Sequence, residues 1–239
     1  MMPARQTIVI TGAGRRIGLA LARHFLDREM AVIISYRQRT AAIEQLEAAG
    51  VTCIYADFSS DSGILTFAQA LEQRGQNLRA IIHNASAWLP ESPETPAAET
   101  LQAMLQIHVH APYLLNLALE PLLRGQGAAG ADIIHITDYV VERGSSKHIA
   151  YAASKAALDN LTRSFASRMA PEVKVNAIAP SLIMFNEDDD EAYRIRALNK
   201  SLMKLVPGEQ EIVNAVEYIL SSRYMTGRTL ALDGGRNLT

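Results

Sequence analysis

Short apolar runs alternate with helix-like stretches along almost the whole chain, and this alternation limits the folds available to it. Strands are predicted at Thr7–Ile10, Ala31–Tyr36, Val51–Tyr55, Arg79–His83, Asp132–Thr137, Val173–Ile178 and Thr229–Leu232. Helices are predicted after Gly18 and at Thr40–Ala49, Leu101–Arg124 apart from Pro112, Ile149–Met169 and Glu209–Ser221. Because strand and helix alternate over 239 residues without a linker, the sequence predicts one α/β domain spanning residues 1–239.

The first strand runs into a glycine turn, Thr11 to Gly18, and then into a helix with core-facing apolar spacing. Glycines let the backbone approach a pyrophosphate closely, and the helix N-terminus supplies free N–H groups and a favourable dipole. A glycine cluster in this strand–turn–helix context predicts a dinucleotide phosphate site.

The second predicted strand is followed by Ser35-Tyr36-Arg37-Gln38-Arg39, where enzymes that use NAD often place an acid for the ribose 2′-hydroxyl. Since no acid is present, Arg37 is predicted to meet the 2′-phosphate of NADP, the alternative being an exposed loop arginine. Asp57, after the third strand, is placed to receive the adenine amino group or to cap the helix that begins near Asp61.

Tyr151 and Lys155 lie four residues apart in the predicted helix Ile149–Met169, so their side chains share one face. A neighbouring ammonium is expected to lower the pKa of the tyrosine and suit it to proton transfer. Asp138 follows a predicted strand at the sheet edge where α/β proteins keep their sites. A solvated surface pair is the other interpretation of Tyr151 and Lys155, and the phosphate site favours the catalytic one.

Two further segments are expected near this edge. Trp88 follows a predicted strand and is either a packing residue or a ring that covers a flat ligand with its face. Residues 181–207 are predicted to form a substrate-side loop, and the acidic cluster at 187–191 is interpreted as a flexible lid or a solvated helix start.

Charge and composition exclude several classes. The formal net charge is −2, and the basic residues form no stripe along the sequence. Neither nucleic acid nor an anionic membrane is therefore expected as a partner. The first predicted strand begins too early for a signal peptide, and a cytoplasmic location is expected. Cys53 is expected to be a buried structural thiol. His108 and His110 have no third ligand at metal-site spacing, so no metal is expected.

Several motifs in order resemble the short-chain dehydrogenase/reductase family over nearly the whole chain. They are Thr11-Gly12 through Gly18, Asp57, Asn84-Ala85, Tyr151 with Lys155, Asn176 with Pro180, and Thr226-Gly227 through Asp233-Gly234-Gly235. The resemblance implies a single-domain Rossmann-type doubly wound parallel sheet, a nicotinamide cofactor and a homotetramer. It implies cofactor contacts from Gly12, Gly14, Arg15, Arg16, Ile17, Gly18, Arg37, Asp57, Asn84, Ala85, Tyr151, Lys155, Pro180 and Leu182.

At three positions the sequence departs from the common family pattern, and the residues found there resemble those of the pteridine reductase branch of the family. Arg16 replaces the middle glycine of the turn, Asp138 replaces the catalytic serine, and Trp88 stands where an aromatic ring can cover the nicotinamide. Two other departures are His108, which stands where the family's catalytic Asn is common, and Ser181, which stands where a glycine usually follows Pro180. The branch implies catalytic Tyr151, Lys155 and Asp138, and substrate contacts from Arg16, Ser86, Trp88, Asp138 and Tyr151.

The resemblance therefore implies NADPH-dependent reduction of 7,8-dihydromonapterin to tetrahydromonapterin, with weaker reduction of dihydrofolate. Charge favours a pterin too, because a carboxylate at Asp138 would repel the oxyanion formed from a ketone, whereas a dihydropterin imine gains a proton at nitrogen. The alternatives are an NADPH-dependent carbonyl or oxoacyl reductase of the same fold, and a non-catalytic dinucleotide sensor.

Overall fold

A computed structural model describes residues 6–125 and 130–239. Seven parallel strands form one sheet in the order β3-β2-β1-β4-β5-β6-β7. The strands are β1 (Thr7–Ile10), β2 (Ala31–Tyr36), β3 (Thr52–Tyr55), β4 (Leu78–His83), β5 (Ala131–Ile136), β6 (Val173–Pro180) and β7 (Thr229–Leu232). The α-helices are α1 (Arg16–Asp27), α2 (Ala41–Ala48), α3 (Asp61–Glu72), α4 (Ala97–Leu105), α5 (Ala111–Arg124), α6 (Val140–Arg143), α7 (Ile149–Met169), α8 (Glu191–Leu198) and α9 (Glu209–Ser221).

Helices cover both faces of the sheet. Ile8 and Ile10 of β1 pack with α1, α2 and α9, whereas Val9 between them faces α3, α5 and α7. Because successive side chains of a strand point to opposite faces, strands buried on both sides read as unbroken apolar runs. The expected single-domain Rossmann-type doubly wound sheet is therefore confirmed.

Some predicted elements differ from the structure. The helix expected to be interrupted at Pro112 contains instead a π-helical segment at Gln106–His110, between α4 and α5. Pro112 lies in the first turn of α5, where a missing backbone N–H removes no bond within that helix. Cys53 is half-buried rather than buried, and its desolvation raises the pKa of the thiol to about 11. Across the described ranges, no helix has the length and hydrophobicity needed to traverse a bilayer.

A polar cluster lies between the sheet and helices α5 and α7. His83 shares a hydrogen bond of 2.8 Å with Asn116 Oδ1, and His135 shares one of 2.8 Å with Thr162. The Asn116 amide nitrogen lies 3.3 Å from His135 Nε2 and joins the two histidines. Burial lowers the pKa of His83 to about 4 and that of His135 well below its ordinary value, so both rings are neutral.

The two edges of the sheet carry different polar groups. At the amino-terminal edge, the buried carboxylate of Asp132 lies between the guanidinium of Arg79 and the ammonium of Lys174. The sequence-predicted site segments follow the strands at the carboxyl edge. Strand order reverses between β1 and β4, so the crevice that binds ligands in such sheets opens there, beside the glycine turn.

Candidate active site

The glycine turn after β1 is held against the end of β4. The Asn84 side-chain nitrogen donates to the carbonyl oxygens of Thr11 (3.1 Å) and Gly12 (2.9 Å). A Cβ on Gly12 would come within 2.7 Å of Ala85 Cα, and one on Gly18 within 2.6 Å of the Asn84 amide. These two glycines are therefore required for the close approach of β1, α1 and β4. Asn84 and Ala85 therefore lie against the glycine turn, and their contact with a cofactor stays a prediction.

The start of α1 fits an anionic group. Its N-cap residue, Arg15, makes no side-chain cap, and its first turn contains no acid, so the backbone N–H groups at 16–18 keep their positive potential. Together with the glycine cradle, these donors suit the pyrophosphate of a dinucleotide. Gly14 is half-buried beside Ile43, and Ile17 packs on the core.

Arg16 has a left-handed backbone, with φ of 52°, at the position that is normally glycine in the family turn. Its guanidinium donates to Asn186 Oδ1 (2.5 Å) and to the Met184 carbonyl (3.4 Å). The side chain thus joins the glycine turn to the segment 181–207. Asn186 was not singled out from the sequence, because 170 residues separate it from Arg16.

The ends of β2 and β3 show which arginine is available for a 2′-phosphate. Arg39 is engaged by Glu47 through contacts of 2.6 and 3.2 Å. Arg37 is exposed and makes no side-chain hydrogen bond within the described part of the chain. Asp57 accepts from the Ser59 N–H (3.0 Å), and the N-cap of α3 is Ser60, so the capping alternative for Asp57 is wrong.

Asp138 and Tyr151 are brought into direct contact. The Tyr151 hydroxyl donates to Asp138 Oδ2 at 2.8 Å, and the Val140 N–H donates to Asp138 Oδ1 at 3.0 Å. Lys155 Nζ donates to the Ile136 carbonyl (2.8 Å) and lies 5.7 Å from the centroid of the tyrosine ring. The three residues predicted to be catalytic therefore form one cluster at the end of β5, in which Tyr151 and Lys155 are buried and Asp138 is half-buried.

The expected pKa of Tyr151 was wrong in direction. Burial raises its pKa well above the ordinary value, and the adjacent Asp138 carboxylate adds to this rise because it disfavours a phenolate. Burial also raises the pKa of Asp138, and it lowers the pKa of Lys155 to about 8. The proton of this pair therefore stays between phenol and carboxylate.

His108 lies in the π-helical segment and is only 1% exposed. The Ser154 hydroxyl donates to the Tyr151 carbonyl (2.7 Å), so at 2.8 Å from His108 Nδ1 it accepts from that ring nitrogen. Nε2 is then an acceptor for the Ser86 hydroxyl at 2.8 Å and the Ala87 N–H at 3.4 Å. Burial lowers the pKa of His108 to about 2. His108 is therefore a neutral imidazole that is protonated at Nδ1 only, and its Nε2 fixes Ser86.

Trp88 is 63% exposed, and one face of its ring is covered by His148 at a centroid distance of 4.0 Å and an interplanar angle of 28°. Trp88 is therefore not a core packing residue. Among the described residues, the Trp88 ring pairs with His148 and the Tyr151 ring with His108, and no ring pair joins Trp88 to Tyr151. His148 was missed from the sequence because it precedes α7 by one residue and belongs to no motif.

A cavity of about 490 Å³ lies between the segment 181–207 and the end of β7, and neither Tyr151 nor Asp138 lines it. Leu182 contributes to its wall, and Pro180 ends β6 beside it. Arg236 connects this cavity to the residue that follows Asp138, since it donates to Ser181 Oγ (3.0 Å) and lies 4.2 Å from the ring centroid of Tyr139.

The acidic cluster 187–191 forms a helix start. Asp190 is the N-cap of α8 and accepts from the Tyr193 N–H at 2.6 Å, and Asp189 accepts from the Asn186 N–H at 2.8 Å. Over residues 6–125 and 130–239, no group of three or more His, Cys, Asp and Glu side chains is arranged to hold a metal ion.

A family model described as enoyl-(acyl carrier protein) reductase matches residues 12–237. The chain belongs to the short-chain dehydrogenase/reductase family. Within it, a dihydromonapterin reductase from Enterobacter sp. (strain 638) is 67% identical over 98% of both chains. One from Klebsiella pneumoniae is 68% identical over 97% of this chain and 96% of its own.

A solved structure is similar in fold to this chain. It is FolM alternative dihydrofolate reductase 1 from Brucella canis complexed with NADP, which is 25% identical and superposes with a TM-score of 0.87. The alignment covers 100% of this chain and 96% of that one.

Proposed function

We propose that this protein reduces 7,8-dihydromonapterin to tetrahydromonapterin with NADPH, and reduces dihydrofolate more weakly. The observation that carries the proposal is the 2.8 Å hydrogen bond between Tyr151 and Asp138, in a chain about two-thirds identical to dihydromonapterin reductases. The weaker activity is supported by the structural similarity to an alternative dihydrofolate reductase.

The proposed cofactor is NADPH, as the NADP bound to the Brucella canis protein supports. The glycine turn 12–18 would hold the pyrophosphate, and the exposed guanidinium of Arg37 would pair with the 2′-phosphate. Asp57, Asn84 and Ala85 would line the adenosine and central part of the site. Lys155, Pro180 and Leu182 would lie beside the nicotinamide end.

When bound, the nicotinamide supplies a hydride to C6 of the pterin, and N5 must gain a proton for the C=N bond to become a saturated amine. Tyr151 and Asp138 hold a proton at this place, and their raised pKa values keep it bound near neutral pH. It reaches N5 directly or through water. Lys155, with its pKa lowered to about 8, provides a cation 5.7 Å from the Tyr151 ring centroid and can restore that proton after turnover.

The substrate ring is proposed to lie against Trp88, whose other face is covered by His148. Ser86, fixed by His108, and Arg16, at the rim of the glycine turn, would supply polar contacts to it. The segment 181–207 would meet the side chain of the substrate, because Arg16 joins this segment to the cofactor turn.

A carbonyl or oxoacyl reductase of the same family is the second candidate, and its support is the family match alone. Asp138 argues against it, because a carboxylate hydrogen-bonded to Tyr151 would oppose the negative charge that develops on a carbonyl oxygen. A non-catalytic dinucleotide sensor would not require Tyr151 and Lys155 to be buried together in one cluster.

The test is to follow NADPH absorbance with dihydromonapterin, dihydrofolate and a simple ketone under identical conditions. We expect the highest kcat/KM for dihydromonapterin, a lower value for dihydrofolate and the lowest for the ketone. Faster reduction of the ketone than of either pterin would favour the second candidate. We also propose a homotetramer and a cytoplasmic location, which sedimentation and cell fractionation would test.

A further inference from the structure

The loop after β4 is joined to the first turn of the catalytic helix α7. The Glu91 carboxylate accepts from the N–H groups of Ile149 at 2.8 Å and Ala150 at 2.7 Å. The N-cap residue of α7, His148, makes no side-chain cap of its own. Two backbone donors that have no partner within this helix are therefore satisfied by a carboxylate about 58 residues away in the chain.

Two further contacts strengthen this junction. The Glu91 N–H donates to the Lys147 carbonyl at 3.3 Å, and His148 Nδ1 lies 3.3 Å from the Leu89 carbonyl. The ring of His148 stacks on Trp88 at 4.0 Å. Trp88 and the start of α7 are thus held together by backbone, side-chain and ring contacts within a stretch of four loop residues.

We propose that Glu91 is a positioning residue that fixes Trp88 relative to the Tyr151 hydroxyl. Tyr151 lies one residue beyond Ala150, so a shift of the first turn of α7 moves its hydroxyl against Asp138. Trp88 lies three residues before Glu91, so the same shift moves the proposed ring platform. The catalytic consequence rests on the proposed pterin reductase function, whereas the placement of Trp88 does not.

The geometry assigns Glu91 this task rather than a general role in folding. Glu91 is exposed and contributes nothing to the core, and the later turns of α7 are held by buried residues such as Leu158 and Phe165. Hydrogen bonding from Ala150 lowers the pKa of Glu91, so the carboxylate remains an acceptor through neutral pH. Removing it frees one end of α7 and leaves the rest packed.

The experiment compares Glu91→Ala and the isosteric Glu91→Gln with Glu94→Gln in the same loop. Glu94 is exposed, and its carboxylate has no hydrogen-bond partner within the described ranges, so it is the matched control. Trp88 is the only tryptophan of the chain, and its emission therefore reports on this junction alone. Emission, NADPH affinity, and kcat and KM for dihydromonapterin are measured for each protein.

We expect Glu91→Ala to raise the emission as the indole leaves the imidazole. We also expect it to lower kcat/KM by on the order of tenfold, below the ~10²-fold that a 1 Å misplacement can cost. Both the rise in KM and the fall in kcat should appear, with NADPH affinity nearly unchanged. Glu91→Gln keeps one acceptor and should fall between Glu91→Ala and wild type, while Glu94→Gln should match wild type.

Wild-type emission and kinetics in Glu91→Ala would overturn the proposal, as would altered emission with wild-type kinetics. Equal losses of pterin and NADPH binding in both Glu91 variants would indicate general unfolding and also overturn it. If wild-type protein reduces no dihydropterin, the proposed function fails. The emission of Glu91→Ala then still decides whether Glu91 holds Trp88.

Discussion

Acid should destabilise this protein through histidines that are buried in the neutral form. His83, His108 and His135 are 4%, 1% and 0% exposed, and burial lowers the pKa of each. In the unfolded chain they titrate near 6.5. Below that pH the unfolded chain binds more protons than the folded protein, so the free energy of unfolding falls as pH falls from 6.5 toward 4, the pKa of folded His83.

The size of the effect follows from the shift. At pH 5, about 1.5 units below the unfolded pKa, each histidine removes about 2 kcal/mol of stability, because one unit is worth about 1.4 kcal/mol. Three such residues remove about 6 kcal/mol, which is comparable with the whole stability of many domains. Asp138, whose pKa is raised by burial, works in the opposite direction but is a single group.

The assay measures the free energy of unfolding in urea at several pH values between 8 and 5, at one protein concentration. His83→Gln removes one buried titrating ring and should flatten the dependence by about 1.4 kcal/mol per pH unit below pH 6. The matched control is His110→Gln, because His110 is exposed, 3.4 Å from Asp61, and should leave the slope unchanged. A His83→Gln slope equal to that of the wild type would mean that protonation of His83 does not cause the loss of stability in acid.

Other predictions concern the proposed chemistry. Arg37→Asp should weaken or reverse the preference for NADPH in kcat/KM, and equal use of NADH and NADPH by the wild type would contradict the role of Arg37. Tyr151→Phe should keep NADPH affinity and lower turnover by about two orders of magnitude or more, whereas Lys155→Ala should damage both; near-normal turnover of Tyr151→Phe would exclude the proton route. Asp138→Ser should slow pterin reduction while trace ketone reduction holds or rises, and the opposite pattern would count against the charge argument. The acidic cluster 187–191 is expected to repel the glutamate tail of a folate, and salt screens such repulsion. Substituting these residues with Asn and Gln, or raising the salt concentration, should therefore reduce the difference in kcat/KM between dihydromonapterin and dihydrofolate. A higher kcat/KM for dihydrofolate at low salt would exclude this role of the cluster.

The sheet was predictable because its strands are buried on both faces. Val9 and Ile33 face one helical layer while Ile8 and Ile34 face the other, so hydrophobic runs mark the strands without alternation. Since parallel strands end at one edge, residues that follow them were expected to gather there. Asp138 next to Tyr151 is the result of that rule.

The rest depended on packing that no local pattern records. The pKa of Tyr151 rises because the site excludes water and places a carboxylate beside the phenol, and these effects outweigh the ammonium 5.7 Å from the ring. Glu91 and Ile149 meet across 58 residues, and no helix signal in either segment indicates their contact. The tautomer of His108 depends on which neighbouring group donates a hydrogen bond to it, and residue spacing in the sequence does not define those neighbours.

At position 16, the left-handed backbone conformation lowers the stability of the protein, whereas the arginine side chain is proposed to support its activity. An L-residue in this conformation is roughly 1–2 kcal/mol less favourable than in the right-handed region, and glycine avoids that penalty. A laboratory selection for heat resistance alone should therefore favour the substitution Arg16→Gly. The selected proteins would lose the guanidinium that connects the glycine turn to Asn186. They would therefore be more stable to heat than the parent protein but less active.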